Sequence, residues 1–151
     1  MPMRPAGAAL AVLALLAPVA CRAGTELAVG VANQVDDETA VGVASIAWVT
    51  DAKHPYEFTL GHIQSREDRV APTETFVAAS KRFTWRRWYG SSGIALADTS
   101  KDNRTLSGPL QFLTAVGWSA DGWSVSLRHL SNAGIEGRNH GETFLMVAFH
   151  F

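Results

Sequence analysis

At 151 residues the chain carries one domain's worth of sequence. Its 13 Lys and Arg against 14 Asp and Glu leave a formal net charge of −1, with no basic stripe, which excludes a nucleic-acid-binding surface. A single cysteine, Cys21, excludes an intramolecular disulfide.

The first expected element is an export segment. Arg4 supplies a positive start, and Ala8 to Ala20 is an apolar run with no charge until Arg22. That run is too short for a bilayer-spanning helix, which takes ~20 apolar residues, and has the size of a signal-peptide core. Cys21-Arg22-Ala23 offers small residues to a signal peptidase, so residues 1–23 are expected to be removed and 24–151 to form the folded domain. A lipoprotein would instead be cut before Cys21; Pro18-Val19-Ala20 fits that signal poorly.

Beyond residue 24 no segment repeats its apolar residues with helical spacing. Roughly eight short runs alternate in polarity and are rich in β-branched and aromatic residues, as strands are. They cover 26–32, 41–50, 56–64, 75–84, 88–97, 109–118, 123–131 and 143–151. The connections include a polar loop at 35–38, a short turn at 52–55 and a long, solvated stretch at 98–104. Ala120-Asp121-Gly122 is expected to be a tight hairpin turn, since Asp-Gly takes the positive φ angles such turns need.

An antiparallel meander of this kind can close on itself and remove its edges. The fold class is therefore all-β: an eight-stranded up-and-down antiparallel β-barrel. Trp48, Tyr56, Trp85, Trp88, Tyr89, Trp118 and Trp123 lie near strand ends, where membrane barrels carry aromatic girdles. The last strand ends on Phe151, with Leu145, Val147 and Phe149 on the same face. Both features favour a transmembrane barrel over a soluble one with an ordinary aromatic core.

Within 123–131, Trp123, Val125 and Leu127 share a face with His129 and Ser131. An apolar face should meet lipid, so His129 and Ser131 are expected on the lipid side at one strand end, a costly place for polar groups without a task. An imidazole that close to a hydroxyl can take its proton. Such a base needs a third group to orient it, and Glu142 stands across the next loop. By strict alternation Glu142 falls on the face opposite Phe149, so a bulge would have to turn it towards His129. The loop between is rich in Asn and Gly; its backbone amides, or the side chains of Asn132 or Asn139, could form an oxyanion hole.

Arg128-His129-Leu130-Ser131-Asn132-Ala133-Gly134, then Asn139-His140-Gly141-Glu142 and a terminal aromatic strand, resembles the signature of the PagL-type lipid A 3-O-deacylases of Gram-negative outer membranes. Gly108-Pro109-Leu110-Gln111-Phe112 resembles a stretch upstream of that family's site. The resemblance implies an eight-stranded outer-membrane barrel that hydrolyses the ester-linked hydroxyacyl chain at position 3 of lipid A. It implies Ser131 as nucleophile, His129 as base and Glu142 as orienting acid, with oxyanion donors in the Asn132 to Gly134 turn or at Asn139. It implies no metal and no cofactor. The partners expected are lipopolysaccharide, the surrounding lipid and possible homodimerisation. The Ser-to-Glu gap here is one residue shorter than is common in that family, which leaves Glu136 as a weaker candidate for the third member.

Other charged residues have plainer readings. Glu57, Glu74, Arg128 and His150 are expected to face the interior. Lys81-Arg82 and Arg86-Arg87 are expected to be interfacial or lumen charges, with lipid A phosphates as a second use. Two other functions stay open: a structural or adhesion barrel without catalysis, and a barrel acyltransferase.

Overall fold

The computed structural model describes residues 23–33, 40–66, 72–99, 103, 105–137 and 139–151. Eight strands follow in chain order: β1 (Ala23–Asn33), β2 (Val41–Thr50), β3 (Tyr56–Ile63), β4 (Glu74–Trp85), β5 (Trp88–Ala97), β6 (Leu110–Ala120), β7 (Trp123–Ser131) and β8 (Glu142–His150). Each pairs antiparallel with its sequence neighbour, and β8 closes on β1, giving a closed all-β barrel. The expected strands match it closely. Residues 1–22 of the expected signal peptide and the 35–38 loop lie outside the described residues.

Alternation sets the two faces. Leu27, Val29, Ile94, Leu96, Val116, Leu127, Leu145 and Phe149 point out and are exposed. Small and polar residues point in, because a barrel this narrow must be filled by side chains. The filling is divided. Towards one end, Phe76, Leu113, Leu130, Phe144 and Met146 form an apolar plug, with the Phe76 and Phe144 rings stacked at 6.1 Å. Towards the other, Glu57 accepts hydrogen bonds from Arg82 Nε and Arg128 Nη1, each at 2.5 Å, and from Thr59 Oγ1 at 2.9 Å. Arg82 also donates to both oxygens of Glu26, at 2.8 and 2.6 Å. Glu57, Glu74, Arg128 and His150 thus sit on the interior face, as the alternation implied, with His150 Nε2 against Ser124 Oγ at 3.1 Å.

The two ends differ. β2–β3, β4–β5 and β6–β7 are joined by short turns, the last at Gly122 with φ of 82°. The other end carries the longer connections, including the one from β7 to β8. Two sequence expectations change here. Tyr89 is not in the outer girdle; it is buried under the Arg82 guanidinium, 4.6 Å from its ring centroid. Of the stretch expected to be solvated, 100–102 and 104 lie outside the described residues and Asp98 is exposed, but Asn103 is not solvated. Asn103 is buried, donates to Glu74 and Thr99, and accepts from the amides of Thr105 and Leu106, so Thr105, Leu106 and Ser107 fold inward over the plug.

Candidate active site

β7 carries His129 and Ser131 on its outward face, both half-buried, at the end bearing the long connections. Phe112 of β6 pairs with Ser131 and Thr114 pairs with His129. On the other side Thr143 of β8 pairs with His129, and Glu142 pairs with Leu130. His129 Nδ1 lies 3.0 Å from Thr143 Oγ1. Below this polar row the outward face continues with Val116, Leu127 and Leu145, one residue from each strand.

Gly141 completes the floor. Its φ is +74°, which glycine adopts without strain. A Cβ built on it would lie 2.6 Å from His129 Cε1, 2.8 Å from His129 Nε2 and 2.9 Å from the Ser131 Cβ. The imidazole Nε2 and the Ser131 side chain therefore flank the same point, although no hydrogen bond joins them among the described residues. The Gly141 amide donates to the Thr105 carbonyl at 2.9 Å, tying this close approach to the β5–β6 connection.

The spacing argument set Glu142 towards His129, whereas the structure sets it on the other face. Glu142 starts β8 on the interior face, 1 % exposed, and its two oxygens accept both terminal nitrogens of Arg66. No bulge turns it outward; the β7–β8 register runs unbroken through Leu130 and Glu142. A carboxylate matched by a buried guanidinium has strong reason to stay inside. Thr143, one residue further on, meets the imidazole instead. Alternation could have found it, since it shares the outward face of Leu145, Val147 and Phe149. Arg66, far away in sequence, left no local signal. Glu136, the weaker candidate, lends its main-chain carbonyl to Ser107 Oγ and Asn132 Nδ2.

The expected oxyanion donors separate. Asn132 is buried; its amide nitrogen donates to the Ser107 carbonyl at 2.6 Å and to the Glu136 carbonyl at 2.9 Å, while its oxygen accepts from the Gly134 amide at 2.8 Å. Asn132 and Gly134 thus hold the turn rather than face a ligand. Asn139 gives one N–H to Gln111 Oε1 at 3.1 Å, while its other N–H and its buried Oδ1 meet no partner among the described residues. Ala133 sits at φ of 55°, and its amide makes no hydrogen bond among the described residues. Ser107, beside the stretch singled out upstream, and Gln111, within it, brace this loop from below.

These features define a class: a closed eight-stranded barrel of the outer-membrane kind, with a histidine and a serine together on its lipid-facing wall. The family model described as lipid A 3-O-deacylase (PagL) matches residues 37–151, and the chain belongs to that family. Among solved structures it is similar to one titled crystal structure of the outer membrane enzyme PagL, at 16% sequence identity and a TM-score of 0.57, covering 85% of this chain and 98% of that one. At that identity the likeness carries the barrel fold. A search of curated proteins found no match.

Proposed function

We propose that this barrel sits in the Gram-negative outer membrane after loss of residues 1–23, and there hydrolyses the ester-linked hydroxyacyl chain at position 3 of lipid A. One observation carries the reading: His129 and Ser131 share the lipid-facing wall at the long-connection end of a barrel in the deacylase family. Outer-membrane barrels put short turns in the periplasm and long loops outside. That orientation sets Ser131 at the level of the outer leaflet, where lipopolysaccharide lies.

Ser131 Oγ attacks the ester carbonyl while His129 Nε2 takes its proton. The productive tautomer has Nδ1–H donating to Thr143 Oγ1, which leaves the Nε2 lone pair facing Ser131. Thr143 thereby takes the orienting position that spacing assigned to Glu142, and Glu142 with Arg66 fixes the same strand end from inside. The Ala133 amide and the second N–H of Asn139 are the donors left for the oxyanion. His129 gives that proton to the sugar oxygen, which leaves as a hydroxyl; His129 then takes a proton from water, whose oxygen attacks the acyl-serine, and returns it to Ser131 Oγ as the fatty acid is released.

The test is mass spectrometry of lipid A from cells expressing the chain or Ser131→Ala. Loss of one hydroxyacyl chain with the wild type alone, with free hydroxy fatty acid released, is expected; a residual rate at least about 10³-fold lower fits removal of a nucleophile. Unchanged lipid A from a folded barrel in both cultures would overturn the reading. Acyl chain recovered on an acceptor instead of as free acid would make the protein a transferase.

A further inference from the structure

Across all eight strands, Lys81 is the one Lys, Arg, Asp or Glu on the outward face. It faces no carboxylate among the described residues; its ammonium lies over the Tyr56 ring, 3.8 Å from the centroid. A cation on the lipid side of a barrel is unfavourable, and the cost falls only as it nears the headgroups. Such a residue calls for a ligand.

An apolar groove lies beside it. In the row of paired residues Trp48, Phe58, Ala79 and Ile94, Ala79 supplies only a methyl between two large side chains. The gap, about 190 Å³, is walled by Trp48, Phe58, Leu60, Val77, Ile94 and Leu96. The next outward row towards the short turns is Tyr56, Lys81 and Ser92. Beyond it the β4–β5 turn brings Arg86, 5.8 Å from the Trp85 ring, while Arg87 lies 5.7 Å from the Trp118 ring. Lys81 is four residues from Trp85, which is about 13 Å along a strand and about 10 Å along the membrane normal once strand tilt is included. A lysine side chain spans much of that by snorkelling.

We propose that this wall holds one anionic glycerophospholipid of the inner leaflet, its phosphate between Lys81 and the turn arginines and one acyl chain in the groove. The assignment rests on the membrane orientation given above. It replaces lipid A phosphate as the use of these cations, because they stand at the short-turn end and Ser131 at the other. The ligand is a membrane lipid, since the groove is apolar and the charge sits at its mouth.

The full barrel released from detergent for native mass spectrometry, with phosphatidylglycerol, phosphatidylethanolamine or inorganic phosphate added, tests this. One phosphatidylglycerol should be retained at least tenfold more tightly than phosphatidylethanolamine, and inorganic phosphate should not be retained. Lys81→Gln should abolish that preference, Lys81→Arg should keep it, and Ala79→Leu should weaken retention by filling the groove. Lipid A deacylation by Lys81→Gln should match the wild type, which separates this site from the active site. Equal retention of both lipids, no change in Lys81→Gln, binding of phosphate alone, or a groove covered by a second copy in a lipid-free dimer would each overturn the proposal.

Discussion

The two faces of β7 reverse polarity in opposite senses along the same nine residues. Inside, Ser124, Ser126 and Arg128 give way to Leu130; outside, Trp123, Val125 and Leu127 give way to His129 and Ser131. The inner polar groups are matched. Arg128 donates to Glu57 and, at 3.2 Å, to Ser126, and Glu57 is completed by Arg82 and Thr59. The outer polar groups are not. His129 has one side-chain partner, and the Ser131 hydroxyl makes no hydrogen bond among the described residues. Satisfied groups in a low-dielectric interior hold structure in place. Incompletely satisfied groups at a lipid boundary remain available to a substrate. One strand thus carries a stabilising face and the face that the proposed mechanism uses, and alternation keeps them apart.

Substitutions can break the contrast from either side. The largest effect is expected inside: Arg128→Ala leaves Glu57 short of a cation in a buried network and should cost about 3–5 kcal/mol of stability, read as a lower urea midpoint for the barrel refolded in vesicles. Deacylation at low urea should change far less. On the outer side, Gly141→Ala drives a methyl into His129 and Ser131. It should lower the deacylation rate by about 10²-fold while the barrel still folds, because a shift of about 1 Å between reacting groups costs that much. The smallest effect belongs to Thr143. Thr143→Val removes the hydrogen bond proposed to select the imidazole tautomer, worth about 1 kcal/mol, and should cost about fivefold in rate with an altered pH profile. Thr143→Ser should restore both. Thr143→Glu should exceed the wild type by presenting a carboxylate to the imidazolium; Glu142→Gln should lower stability and leave the pH profile in place.

Much of the barrel was legible because a period of two is a local property. It located the strands, assigned Glu57, Arg128 and His150 to the interior, and carried His129 and Ser131 outward. What escaped was long-range. Tyr89 looked like a girdle residue, but the buried guanidinium of Arg82, on the neighbouring strand, lies over its ring. The stretch from 98 looked solvated, yet Glu74 offers Asn103 a buried acceptor. Glu142 was pulled towards His129 by a spacing argument, while alternation already kept it inside; Arg66 explains why alternation wins. The same period leads from Leu145 to Thr143.

The packed interior has a physiological consequence. Phe76, Leu113, Leu130, Phe144 and Met146 fill one half of the barrel, and the Glu26, Glu57, Arg82 and Arg128 network crosses the other. Among the described residues, a cylinder so filled has its lumen occupied by side chains. A barrel that acts on the outer leaflet as proposed would therefore do so without opening a channel through it.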